Sequence, residues 1–332
     1  MSLLRRQRPT LLLLASLIVV TLLIHDRVVW LDTSVVIAIY SLLALSVGIS
    51  YGYGGILSVA QAAFASIGAY ATAILTVRYH LPAIAGLVLA LLLPALVAYP
   101  LARLMSRMSP LALAIATLVF GQAVDIGLRE AGDFTGGYIG ISGIPPLPFV
   151  SSLLLYHLLC WLAVLLVAVL ICNLMDSGFG RAVNTVRADT FRAVADGVDV
   201  TRVRSAVLAL SSSVAGIGGW LYAHHITYIG PDSLGPSVSL SVLLMAVVGG
   251  AQTVLGPIIG AALLTLIFKF IPSQEVQGMF YGAALIGVLV LSPGGLVDVQ
   301  RLLRAMLRQW LFRRKDPDVK PDGAAVHARN AS

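Results

Sequence analysis

Charge is scarce in this chain. Asp, Glu, Lys and Arg make up only 11% of its 332 residues, where a soluble domain carries about 25%. Two cysteines are present, Cys160 and Cys172, and both fall in one apolar run. That placement argues against a disulfide framework or a thiol metal site and reads as small apolar filler. Neither G-x-x-x-x-G-K-[ST] nor H-E-x-x-H occurs, so the chain encodes no phosphate-binding loop and no helical zinc pair. The centres of its apolar runs are nearly free of acidic and histidine side chains. A proton-coupled carrier needs such groups at mid-membrane, and an enzyme working by acid–base chemistry needs a pair of them. No catalytic residue, metal or cofactor is therefore expected. The net charge of +7 has no aromatic–basic patch beside it, which argues against a nucleic-acid partner.

What the chain has is apolar length. Hydrophobic residues reach 58% and mean hydropathy is +0.93. A bilayer core takes about 20 apolar residues per helix. Suitable runs lie near 10–25, 33–50, 55–77, 83–103, 110–128, 151–174, 205–228, 237–250, 255–271 and 277–292. They predict an all-α polytopic membrane protein with about ten transmembrane helices. The eighth run is short, held between Pro236 and Gly249-Gly250. The start resembles a signal peptide, with Arg5, Arg6 and Arg8 before Leu11 to Ile24. Without an A-x-A cleavage site it reads as an uncleaved first span.

The basic residues orient this bundle. Arg5, Arg6 and Arg8, then Arg103 and Arg107, then five arginines between Met175 and Arg204, then the residues after Gln300 fall in alternate loops. The other loops hold Arg27, Arg78, Arg129 and Lys269, isolated and mostly near acids. The excess of Arg and Lys belongs on the cytoplasmic side, which places both termini there.

Local patterns refine the picture. The third run is crowded with small residues, Ala60, Ala62, Ala63, Ala65, Ser66, Gly68, Ala69, Ala71 and Ala73. Small residues let helix backbones approach in lipid, so this helix is expected at the centre of the bundle. Gln61, its amide, needs either an interhelical partner or a water-lined path. Breaks rich in Gly and Pro stand at Gly52–Gly55, Thr135–Pro146 and Val248–Gln252, where irregular backbone is expected. Asp125 and Arg129 are spaced for an i,i+4 ion pair. His157 is expected to have a local hydrogen-bond partner, and His224 and His225 to sit at the outer interface.

The polar stretch Met175–Arg204 is too long for a turn and is patterned like a helix. Its arginines alternate with Ala182, Val186, Ala193 and Gly197. It reads as a docking element for a soluble partner, with a solvated linker as the alternative. Near the C-terminus, Val299, Leu302, Leu303, Met306, Leu307, Trp310 and Leu311 form an amphipathic stripe opposite Arg301, Arg304 and Arg308. This pattern fits a helix lying on membrane lipids, or one packed on the bundle. The organisation expected is a membrane domain over 1–295 containing the 175–204 loop, a cytoplasmic amphipathic helix over 296–315, and a disordered tail over 316–332.

Four segments carry a family resemblance: Gly54–Phe64 with Gly68-Ala69-Tyr70; Leu113–Gln122 running to Thr135-Gly136-Gly137 and Gly140–Pro145; Phe179-Gly180-Arg181-Ala182 with Arg187, Ala193, Ala195, Gly197 and Val198; and Leu244–Gly250 with Gly256-Pro257 and Gly260-Ala261. In their order and spacing the chain resembles the permease subunits of bacterial ABC importers for branched-chain amino acids, of the LivM-like type. The resemblance implies a multi-pass subunit of the bacterial inner (plasma) membrane that is not itself an enzyme. It implies as partners a second, homologous (LivH-like) permease, two cytoplasmic ABC ATPase subunits and a periplasmic solute-binding protein. It also implies that the loop after the sixth span couples to the ATPase, through Arg181, Ala182, Arg187, Ala193, Ala195 and Gly197. The family often has acids near the positions of Thr190 and Val194, which are absent here, and Arg192 replaces a small residue. The expected translocation path includes Ser58, Gln61 and Ser66, with Thr135, Gly136 and Gly137 at the outer loop. Urea, amides, aromatic acids and sugars are alternative substrates, and a stand-alone secondary carrier is the reading from a different class.

Overall fold

The computed structural model describes residues 8–270 except 107, 149 and 151. The helices are α1 (Arg8–Ile24), α2 (Val28–Val47), α3 (Gln61–Ala73), α4 (Ala83–Met105), α5 (Pro110–Glu130), α6 (Leu153–Met175), α7 (Gly178–Ala188), α8 (Thr190–Ala195), α9 (Val200–Ile226), α10 (Pro236–Gly249) and α11 (Leu255–Phe270). α2 runs on into a π turn over Gly48–Tyr53, and α3 into another over Ile74–Arg78. Six helical stretches among the described residues are long and apolar enough to cross a membrane, while α1 and α11 are shorter apolar helices. The chain is therefore a multi-pass helical membrane protein. The tenth expected span at 277–292, the amphipathic stretch 296–315 and the tail 316–332 lie outside the described residues.

Local chemistry sets many of the helix ends. Ser109 precedes Pro110 and accepts a hydrogen bond from Ala112 N, and Ser152 accepts one from Leu155 N. These side chains satisfy amide groups that a helix start leaves without partners. α10 starts at Pro236 and stops where Gly250 turns left-handed, with φ 107°.

The third span begins later than expected. Residues 54–60 are not helical, and α3 starts only at Gln61. The cause lies elsewhere in the bundle. Val59 N donates to Thr117 Oγ1 at 3.0 Å, from α5, and Ala62 N donates to Ser239 Oγ at 3.0 Å, from α10. Non-helical backbone survives at membrane depth when protein groups satisfy it; here the Thr117 hydroxyl does so at Val59, and the Ser239 hydroxyl takes an amide that the start of α3 leaves free. Gly55, at φ 66°, lies in the turn that leads the chain into this stretch.

α3 is the centre of the bundle. Every residue in it except Ile67 is buried. α9 crosses it with no side chain between the two backbones: a Cβ on Gly68 would sit 2.8 Å from Gly216 Cα, and one on Gly219 would sit 2.0 Å from Ala65 O. On its other side α9 meets α4. Pro94 has no N–H for the Ala90 carbonyl one turn before it, and Gly216 packs directly on that carbonyl. Ser213 Oγ donates to the neighbouring Leu91 O at 2.9 Å. Proline inside α4 is thus accommodated by α9.

α5 is the outlier. Only Thr117 and Gly121 in it are buried. Far from α7 and α8, the 132–147 loop folds over the end of α9, where β1 (Ile141–Ser142) pairs antiparallel with β2 (Tyr228–Ile229). That loop also corrects the reading of His224. Rather than facing an interface, its ring is buried, lies 2.8 Å from Pro145 O through Nδ1, and meets Trp220 edge-on. His225 pairs with Asp32 at 3.1 Å and stacks on Tyr156. His157 has a hydrogen-bond partner that is not local: Thr21 Oγ1 of α1 lies 3.0 Å from its Nε2.

Candidate coupling element and translocation site

The segment between α6 and α9 is built as two short helices with defined ends. Ser177 caps α7 by accepting from Gly180 N. A Cβ on Gly180 would lie 2.1 Å from Met175 O, so the turn out of α6 is tight. Val183 and Val186 anchor α7 against the bundle, and Arg187 lays its side chain over Gly55, 3.2 Å from where a Cβ would stand. Asp189 caps α8, its Oδ1 accepting from Phe191 N at 2.8 Å and Arg192 N at 3.1 Å. At the other end Gly197 has φ 79°. Gly197 N donates to Val194 O at 3.0 Å and Val198 N to Ala193 O at 2.9 Å, the paired closure of a Schellman motif. Arg204 joins this unit to the end of α4, donating to Ser106 O at 2.9 Å and to Thr190 Oγ1 at 3.4 Å.

A six-residue helix is marginal in isolation. Caps at both ends and the Arg204 tie hold this one in place. It presents an apolar pair beside the exposed Arg192: Phe191 is 90% exposed and Val194 is 62% exposed. The two lie three residues apart, on one face. Ala193, one of the six residues singled out in this segment from the sequence, is fully buried. Ala193 therefore seats α8, while Phe191 and Val194 form its free surface. The detectable signal was a large aromatic residue in a polar loop, directly after a capping Asp. Of the other residues singled out, Arg181, Arg187, Ala195 and Gly197 are exposed and Ala182 is half-buried.

The expected path residues fall into two separate groups. Ser58, Gln61 and Ser66 are buried in the bundle. Gln61 Nε2 donates to Ser50 Oγ at 3.2 Å and Ser211 Oγ at 3.0 Å, while its Oε1 accepts from Ser46 Oγ at 3.1 Å. Ser211 Oγ in turn donates to Ser46 O at 2.7 Å. The amide thus has interhelical partners on α2 and α9. Ser58 Oγ accepts from Ala60 N at 3.4 Å within the non-helical stretch. Thr135, Gly136 and Gly137 instead make a turn after α5, where Thr135 Oγ1 donates to Leu128 O at 2.6 Å and both glycines have positive φ.

Ser66 connects the interior to that end of the bundle. It lines a narrow cleft of about 10 Å³ with Asp125, Leu128, Leu234 and Ser239. Above the cleft, Arg129 contacts Asp125 at 3.0 Å, the expected i,i+4 pair, and also Asp232 at 2.6 Å. The Asp232 contact ties α5 to the turn before α10. The Arg129 guanidinium also stands over the Tyr138 ring, 5.6 Å from its centroid.

Membrane-spanning helices with a capped pair of short helices beside them define the class, a multi-pass helical membrane protein. Residues 29–289 match the profile of the branched-chain amino acid transport system permease component, and the chain belongs to that family. Among curated relatives it is similar to the high-affinity branched-chain amino acid transport system permease protein LivM of Salmonella typhimurium, with 28% identity over 81% of this chain and 70% of the relative. The LivM protein of Escherichia coli is 27% identical with the same coverage. A more distant likeness is to the autoinducer 2 import system permease protein LsrC of Yersinia pseudotuberculosis, 27% identical over 51% of this chain and 52% of the relative. No solved structure matches the chain.

Proposed function

We propose that this chain is one permease of an ATP-driven, binding-protein-dependent importer for branched-chain amino acids. It sits in the bacterial inner membrane with α7, α8 and both termini in the cytoplasm. A second, homologous permease completes the path, two ABC ATPase subunits bind below, and a periplasmic binding protein delivers the solute above. The observation that carries the reading is the exposed Phe191–Val194 face of α8. An apolar surface on a polar loop is where a partner protein seats. The caps make α8 a rigid lever, so force from the ATPase passes through Ala193, Thr190 and Arg204 into α4 and α9.

The solute enters at the narrow cleft beside Ser66, which opens during the transport cycle. There the Thr135-Gly136-Gly137 turn and the Arg129–Asp232 contact control access, while Ser58 and Gln61 hold α3 in register behind it. Apolar walls with few polar groups suit a small amphiphilic solute that is held briefly. The LivM relatives favour branched-chain amino acids. The LsrC likeness keeps a sugar-like solute as the second reading.

The test is uptake by the reconstituted complex. Phe191→Asp with Val194→Asp should abolish ATP-dependent leucine uptake and co-purification of the ATPase, with membrane levels unchanged. Full uptake by that variant refutes the docking role.

A further inference from the structure

The end of α4 and the start of α9 form an open cleft of about 520 Å³, lined by Arg103, Leu104, Ser106, Asp199, Thr201 and Arg202. The proposed path does not use it. Its charge is positive on balance, with two arginines against one carboxylate. That carboxylate is occupied: Asp199 Oδ1 accepts from Arg202 N at 3.0 Å, and Oδ2 lies 3.2 Å from Arg202 Nε. Arg202 itself stays largely exposed. Arg103 is also exposed, and its guanidinium has no partner among the described residues. The Thr201 hydroxyl donates to the Ser106 hydroxyl at 3.5 Å across the cleft's two walls.

The position of Arg103 indicates what the cleft receives. Ile84, Val88, Leu92, Leu96 and Tyr99 form an exposed stripe along α4, and Arg103 is the next residue on it. A long cationic side chain ending an apolar stripe reaches from the hydrocarbon edge to the headgroup level. Leu104 beside it is 77% exposed. Apolar surface therefore adjoins the guanidinium groups, and planar guanidinium forks match phosphate oxygens.

We propose that this cleft binds the phosphate of an anionic phospholipid, with Arg103 and Arg202 on the headgroup and Leu104 against an acyl chain. The side of the membrane rests on the orientation proposed above; the binding itself does not. The consequence is regulatory. Asp199, Thr201 and Arg202 begin α9 directly after the Gly197–Val198 closure of α8, and the opposite wall is the end of α4. A bound headgroup clamps α4 to α9 at the point where Arg204 already joins Ser106 to Thr190. It thereby fixes the seat of α8.

The test is thermal unfolding of the full chain in mixed micelles, titrated with phosphatidylglycerol, with phosphatidylcholine and inorganic phosphate as comparators. Phosphatidylglycerol should raise the unfolding temperature, and the comparators should not. An attraction of about 1 kcal/mol per basic residue near an anionic surface converts to about fivefold in half-saturating lipid. Arg103→Gln and Arg202→Gln should each cost that factor, and the double variant about 25-fold. Arg103→Lys should keep most of the response, which separates charge from folding. Arg181→Gln, exposed on α7 and outside the cleft lining, should leave the curve in place.

An unchanged curve in the double variant overturns the site. So does an equal loss in Arg181→Gln, which would mark diffuse attraction, or an equal response to inorganic phosphate, which would mark a free-anion site. Loss of ATPase co-purification from the double variant with its lipid curve intact would assign the cleft to a protein contact instead. The titration requires neither orientation nor transport, so its failure leaves the import reading standing.

Discussion

Replacing Gly216 with alanine tests the packing at the heart of the bundle. The added Cβ would lie 1.9 Å from Ala90 O, 2.9 Å from Pro94 Cγ and 3.0 Å from Ala90 C. The nearest obstacle is backbone, which cannot rotate aside, so α4 and α9 must part by roughly 1 Å, and overpacking of that kind costs ~1–3 kcal/mol. Removing a glycine from a helix returns up to ~1 kcal/mol. The contacts of Gly68 with Gly216 and of Gly219 with Ala65 hold α9 against α3 with no side chain between them, so α9 cannot simply retreat from α4. The net expectation is a loss of about 2 kcal/mol, roughly a thirtyfold change in the unfolding equilibrium. Reversible unfolding in mixed micelles measures it. Gly127→Ala on α5 is the comparison, because a Cβ there meets nothing within 4 Å. It should be neutral or stabilising by up to ~1 kcal/mol. Wild-type stability for Gly216→Ala, or equal damage from Gly127→Ala, would refute the close-packing argument.

Other outcomes follow from the same contacts. Gln61→Leu should destabilise by only about 1–2 kcal/mol, because interhelical hydrogen bonds in membranes average ~0.6 kcal/mol and Ser46, Ser50 and Ser211 each keep a backbone acceptor; the same unfolding assay checks it. Gly197→Ala should cost about 1 kcal/mol at its left-handed φ, seen as faster amide exchange in α8 with the rest of the bundle unchanged. Arg129→Met should free the 231–234 turn from α5, read as faster amide exchange at Ser233 and Leu234; unchanged exchange would show that the Asp232 contact holds nothing.

How much of this was legible in the sequence depends on the range of the interaction. Hydropathy and local punctuation found most helices, and Pro236 and Gly249 bound α10 where expected. Small residues marked α3 as central, and i,i+4 spacing found Asp125–Arg129. What was missed depends on distant partners. The stretch 54–60 is as apolar as a helix, but its irregular backbone is supported by a hydroxyl 58 residues away, and the start of α3 after it by one 177 residues away. His224 was read as interfacial because the loop that brings Pro145 over it cannot be seen in the residues around it. Asp232 joins Arg129 from 103 residues away. In α8 the segment was identifiable, but which of its faces turns inward is set by the Asp189 and Gly197 closures. Ala193 was chosen where Phe191 and Val194 are exposed.

The central claim is that α8 is the lever through which ATP hydrolysis drives import. The most direct measurement is leucine uptake into proteoliposomes holding this chain, its partner permease and the ATPase subunits, with binding protein outside and ATP inside. Uptake should require every component and fall to background in the Phe191→Asp, Val194→Asp variant, while Gly127→Ala transports normally. ATP-independent uptake by this chain alone, or full uptake by the double variant, would contradict the account.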